Sequence, residues 1–154
     1  MKTFKSYLNE ATGGDCFQVA AKNMIDLTDK EDDTGYKLVH AYVYGQGELK
    51  GRRFPHAFNK LGNKIYDDSN GNHIEMSAKR YFELGGIDPN ESGAYAEYSK
   101  TKSMINLLKH KNYGPWDLNS RLDENIPDEA REIGKKKMRI GRKELQQINI
   151  ASKL

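Results

Sequence analysis

Phe17, Ala20, Ala21, Met24 and Ile25 recur at the i, i+3, i+4, i+7, i+8 spacing of a helix that buries one face. Asp15 ahead of them is a good N-cap residue, and Gln18 three positions on completes a capping-box pattern. The period then changes. Tyr36 to Tyr44 is dense in aromatic and β-branched residues and runs into Gly45-Gln46-Gly47, which predicts a strand. Arg52 to Gly71 predicts a hairpin turning at Leu61-Gly62-Asn63. A four-residue loop would pair Asn59 with Lys64 and set His56 opposite Asp67, whereas a three-residue loop would set Asp68 there. Met76 to Leu84 predicts a helix ending at Gly85-Gly86, and Tyr95 to Lys111 another, with Tyr98, Thr101, Met104, Ile105 and Leu108 inward. Asn112 to Asp117, containing Gly114-Pro115, breaks that helix.

The tail opens on Ile126-Pro127-Asp128-Glu129, helix-start chemistry with proline and acids in the first turn. It becomes basic through Lys135, Lys136, Lys137, Arg139, Arg142 and Lys143, with a thin apolar stripe at Ile133, Ile140, Leu145 and Ile148. Gly134 and Gly141 each cost a helix about 1 kcal/mol relative to alanine, so this segment needs something to pack against. Such a basic helix could hold phosphate backbones, and its bland reading is a solvated face.

Helices and strands in this mixture predict an α+β fold, with a helix on a small antiparallel sheet and extra helices behind. The expected organisation is a leader over residues 1–10, a globular domain over 11–125 and the basic helical tail over 126–154. The 154 residues suit one domain, and 31% of them are charged, with a net charge of +3. No segment is apolar enough to span a membrane. A single cysteine rules out an internal disulfide. His40, His56, His73 and His110 show no metal-ligand spacing with it, and no phosphate loop or dinucleotide fingerprint occurs, so no metal or cofactor is expected.

That one cysteine, Cys16, falls in the first turn of the first predicted helix. A helix N-terminus carries partial positive charge and free N–H groups, which favour a thiolate and can hold an oxyanion forming beside the sulfur. Either hairpin register brings the His56 imidazole beside a carboxylate, able to fix its tautomer while the other ring nitrogen serves a thiol. His40 is a second candidate base, or a buried structural residue. Trp116 is a core anchor or an aromatic lining a cleft.

Cysteine on a helix start, histidine on a strand and aspartate on the next strand, in that order, resembles the papain-like and transglutaminase-like cysteine enzymes. The likeness is greatest to the short transglutaminase-core type, whose His-Ala-Trp strand is followed by Asp-Pro-Thr or Asp-Pro-Ser. The elements here read His56-Ala57-Phe58 and Asp67-Asp68-Ser69, departing at Phe58 and Asp68. The resemblance covers about residues 15 to 71. It implies Cys16 as nucleophile, His56 as base, Asp67 as orienting carboxylate, and Gln46 as an oxyanion donor of the kind papain-like sites use. The activity implied is a thiol hydrolase or acyl transferase acting on a protein or peptide amide.

Met1 to Ala11 is a short amphipathic stretch with Phe4, Tyr7 and Leu8 on one side and no secretory pattern. It looks like the capsid-targeting leader of internal head proteins in large contractile-tailed phages, which a prohead protease cuts after Leu/Ile-x-Glu. Leu8-Asn9-Glu10 followed by Ala11 fits that pattern. The resemblance implies cleavage between Glu10 and Ala11, packaging in a capsid, and delivery to a bacterial cytoplasm. The competing expectation is a non-catalytic internal protein that binds DNA nonspecifically through the tail or blocks a host defence protein.

Overall fold

The computed structural model describes residues 15–26, 35–45, 51–123 and 128–152. Glu10, Ala11 and Gln46, and with them the leader cleavage and the glutamine oxyanion donor, lie outside the described residues. The chain is an α+β structure built on one five-stranded antiparallel sheet. Its strands are β1 (Tyr36–Tyr44), β2 (Arg53–Leu61), β3 (Lys64–Asp67), β4 (Ile74–Ser77) and β5 (Tyr95–Tyr98), in the order β4-β3-β2-β1-β5. The helices are α1 (Cys16–Ile25), α2 (Ala78–Gly85), α3 (Lys100–His110), α4 (Asp128–Met138) and α5 (Arg142–Ser152).

Both faces of the sheet are covered, which is why the interior strand β1, between β2 and β5, reads as an almost unbroken apolar run rather than an alternating one. On one side Leu38 and Ala57 pack with Phe17, Ala20, Ala21 and Met24 of α1, and with Leu107 of α3. On the other, Val39, Ala41, Val43, Phe58 and Ile65 pack with Ala78 of α2 and Ile87. Burying a side chain such as Phe17 or Met24 stabilises by about 1.5–3 kcal/mol. Asn59 is buried on the α1 side and donates from Nδ2 to the Ala20 carbonyl at 3.1 Å, tying helix to sheet. The tail helices close the same core, since Met138, Ile140 and Ile148 are buried with Phe17 and Leu107. Packing of that kind offsets what Gly134 takes from α4, whereas Gly141, expected inside a helix, lies in the break between α4 and α5 and costs neither of them, and Ile140 turns inward there.

Three expected elements differ. The hairpin turns on two residues, Gly62 and Asn63, with Leu61 paired to Lys64 and Asn59 to Tyr66. Gly62 supplies the positive φ of 58° that such a tight turn takes, so neither longer loop is needed. The helix expected from Met76 begins at Ala78, because Met76 pairs with Ile65 in the sheet and the Ser77 hydroxyl accepts the Arg80 N–H at 3.2 Å as the cap. The helix expected from Tyr95 begins at Lys100. Tyr95 to Tyr98 instead form the edge strand beside β1, and the Ser99 hydroxyl caps α3 by accepting from Lys102 N–H at 3.2 Å. The inward face of α3 is therefore Ser103, Met104 and Leu107, and Ile105 points out at 57% exposure.

Candidate active site

Cys16, His56 and Asp67 converge where β3 ends. Among the described residues β3 pairs with β2 only along Asn59 to Leu61, so β2 has no β3 neighbour at His56. Extending that register sets Asp67 level with Phe58, two residues from His56 and on the same face. This is a diagonal cross-strand neighbour, within reach of long side chains. The expected directly opposed pair is thus replaced by a diagonal one. His56 Nε2 and Asp67 Oδ2 lie 2.8 Å apart. The chain then makes a short 3-10 turn, Ser69–Gly71, whose Asn70 N–H donates to Asp15 Oδ1 at 2.6 Å. Asn70 adopts φ 57° there, a left-handed conformation asparagine tolerates better than most residues. That bond docks the turn on the N-terminus of α1 and so brings the helix start, with Cys16, to the histidine.

The same bond explains why the expected capping box is absent. Asp15 makes no side-chain cap to its own helix because its carboxylate serves Asn70, and Gln18 hydrogen-bonds the Tyr113 hydroxyl. The first-turn N–H groups of α1 are left without a carboxylate cap. Cys16 itself is buried at 1% exposure and within hydrogen-bonding reach of the His56 side chain.

Asp67, 5% exposed, is held by more than the histidine. Tyr81 of α2 donates its hydroxyl to Oδ2 at 2.6 Å, and Ser69 donates both its N–H, at 3.0 Å, and its hydroxyl, at 2.6 Å, to Oδ1. Burial alone would raise this carboxyl. The hydrogen bond and charge of His56, with the Ser69 and Tyr81 hydrogen bonds, hold it well below the usual carboxylate range. For His56 burial works the other way and would strip its proton. The negative charge of Cys16, next in size, together with the Asp67 hydrogen bond, overcomes that and raises the imidazole to about 10. His56 is 15% exposed, so one edge of the group meets solvent while Cys16 and Asp67 are covered. Tyr81 and Ser69 were not among the candidates. Ser69 stands in the Asp67-Asp68-Ser69 run, but nothing local in the sequence marks Tyr81, which reaches Asp67 from α2, on the face of the sheet away from α1.

The other candidates lie apart. Asp68 turns away from His56 to accept from Asn23 Nδ2 at 2.8 Å and to pair with the His73 ring. It borders an open cavity of about 410 Å³ lined also by Asn23, Asp26, Tyr36, Leu61 and Tyr66, at the end of α1 away from Cys16. His40 is fully buried inside an aromatic box of Phe17, Tyr98 and Trp116, at ring separations of 4.9, 5.1 and 4.7 Å. Neither ring nitrogen has a hydrogen-bond partner, and burial drives its pKa down to about 3. Gly114 lies so close to this ring that a Cβ there would come within 2.4 Å of Cε1. Trp116 is a wall of that box and donates its indole N–H to the Asn112 backbone and side-chain oxygens at 3.1 and 3.0 Å. Lys135, Lys136, Lys137, Arg139, Arg142 and Lys143 are exposed along the tail, remote in the chain from the Cys16–His56 group.

No protein-family model, curated protein or solved structure matches the chain. Among the described residues, no helix is long and apolar enough to cross a membrane.

Proposed function

We propose that the chain is a phage-encoded, papain-like or transglutaminase-like cysteine hydrolase or acyl transferase, working on a protein or peptide amide through Cys16, His56 and Asp67. The observation that carries this reading is the His56 ring, which has a buried thiol on one side and a carboxylate at 2.8 Å on the other. Because Asp67 takes Nε2, the nitrogen left for Cys16 is Nδ1. His56 takes the thiol proton, which leaves the charge on sulfur. The sulfur attacks the amide carbonyl, a C–S bond forms, and the oxyanion is held by N–H groups of the first turn of α1. His56 then gives its proton to the leaving amine as the C–N bond breaks. Water, or an acceptor amine, loses a proton to His56 and displaces the sulfur, returning the thiolate–imidazolium pair. Asp67 stays ionised throughout and keeps the ring oriented, as the carboxylate of a hydrolytic triad does.

The test is the rate of Cys16 alkylation by iodoacetamide between about pH 5 and 9, read by intact mass, for the wild type and His56→Ala. Labelling well below the ordinary thiol pKa of about 8.5, and lost in the variant, supports the pair. A wild type that labels only as fast as the variant, or only when unfolded, overturns it and leaves the non-catalytic binding protein as the better reading.

A further inference from the structure

The basic run of the tail is fixed to the fold in a particular place. Lys111 is the C-cap of α3, and its carbonyl accepts the Ile140 N–H at 3.0 Å, while Tyr113 N–H donates to the Met138 carbonyl at 2.8 Å. Asn112 and Arg139 form an antiparallel bridge between these two bonds. Met138 and Ile140 are buried, so they pin the run from Lys135 to Lys143 beside the end of α3. That end brings Lys109 and Lys111, both exposed. Eight cations thus sit on two adjoining segments, and neither Lys109 to Asn112 nor Lys135 to Lys143 contains an acid, while Glu132, paired with Lys135 at 3.3 Å, and Glu144 flank the second. The whole chain is +3, so with these eight at one place the remainder carries −5.

Helix electrostatics account for only part of this. Lys109 and the three lysines at the end of α4 lie at helix C-termini, where a positive charge is favourable. Arg142 and Lys143 occupy the first turn of α5, at its positive end, where each works against the helix by about 0.3–1 kcal/mol, and Glu144 in the same turn offsets only one of them. Cations placed against the preference of their own helix, next to others and with no acid in the run, match a ligand of opposite charge. Among the described residues the large exposed apolar side chains on these helices are the single residues Ile105, Ile133 and Ile150, with no aromatic ring among them. Isolated aliphatics offer no platform for base stacking, whereas the run of cations suits phosphodiester groups.

We propose that this face, centred on Lys111, Lys136, Arg139, Arg142 and Lys143, binds the phosphate backbone of a nucleic-acid duplex without reading its sequence. It is independent of the thiol site.

The experiment measures binding of the full chain to a labelled 20-base-pair DNA duplex, the matching RNA duplex, and vesicles of anionic phospholipid, from about 20 to 200 mM salt. Wild type is compared with the quadruple variant Lys111→Gln, Lys136→Gln, Arg139→Gln, Arg142→Gln, and with Lys79→Gln/Arg80→Gln on α2 as a control of equal kind. Expected is duplex binding whose log–log salt slope loses about 0.9 for each of the four cations that meets a phosphate, at least a tenfold loss of affinity at the lowest salt, and an unchanged control. DNA alone, or DNA and RNA alike, supports the proposal and says which duplex is the source. Vesicle binding without duplex binding, no duplex binding at 20 mM salt, or equal losses in the control overturns it.

Discussion

His40→Leu tests whether the imidazole is buried as completely as its surroundings imply. His40 has 0% exposure and no hydrogen-bond partner, and its pKa is depressed to about 3 by burial. In the unfolded chain a histidine titrates near 6.5. Between the two values the unfolded state holds a proton that the folded state refuses, so stability rises with pH. The titration of His40 thus costs nothing above about pH 7.5, and that penalty grows by about 1.36 kcal/mol for each unit below 6.5 until it levels near 3. At pH 5.0 the penalty is about 2 kcal/mol. Leucine removes it, at the price of edge contacts with Phe17, Tyr98 and Trp116, each worth about 0.5–1.5 kcal/mol. It also removes two unmet polar atoms, each costing about 1–3 kcal/mol when buried. Those packing and desolvation contributions are the same at every pH, and the titrations of His56, His73 and the carboxylates cancel between variant and wild type. The decisive quantity is therefore the difference of differences. Urea unfolding at pH 7.5 and 5.0, at matched ionic strength and with equal m-values, should show the variant gaining about 2 kcal/mol more at the lower pH. An equal effect at both pH values would refute the reasoning and mean that the ring finds a partner or water in solution. The same property removes His40 as a base: an imidazole whose burial holds its pKa far below 6.5 and that is walled by rings has nothing to offer the thiol.

Two further outcomes follow from the geometry. In Cys16→Ala the largest influence raising His56 is gone, so the imidazole followed by NMR should titrate at lower pH than in the wild type, and an unmoved titration would separate the two groups. Ile148→Ala should destabilise by about 2–5 kcal/mol, read as the urea midpoint, because Ile148 is 4% exposed in the core that includes α1; a change under about 0.5 kcal/mol would mean that the tail is not docked.

Local chemistry made part of this legible. The α1 face, the two long strands and the ends of α2 and α3 at glycine or before Gly114-Pro115 each follow from a short stretch of sequence. What failed was local too: Ser77 and Ser99 are both good N-caps, yet apolar residues ahead of them fitted a helical period and hid the change from strand to helix. Tertiary pairing with Ile65 and with β1 won at those positions. The three residues of the site were legible by type and order, but the reason for their meeting was not. A two-residue turn would have moved Asp67 out of line with His56, and only the diagonal reach and the Asn70–Asp15 bond bring helix, strand and turn together. Tyr81 lay beyond any pattern argument, because its partner is fourteen residues away across an element boundary.

The two sides of His56 differ in kind, and that difference bears on how the proposed cycle would turn over. Asp67 is a fixed influence: four donors hold it, its charge is secure, and nothing in acyl transfer consumes it. Cys16 is a variable one. Its negative charge is the largest effect raising the imidazole, and that charge leaves the sulfur as the C–S bond forms. An imidazolium near 10 would be a reluctant acid, but the attack itself withdraws what keeps the proton in place. Burial, the largest effect of all on this ring, then pushes the proton off toward the leaving amine. In the acyl-enzyme the neutral ring, still oriented by Asp67, is a base for water, and release of the thiolate restores the charge that recaptures the proton. A histidine between two permanent carboxylates would stay charged at every stage and could serve neither step. One fixed and one expendable negative charge, on opposite nitrogens of a mostly buried ring, is the arrangement that lets a single imidazole act as acid and base in turn.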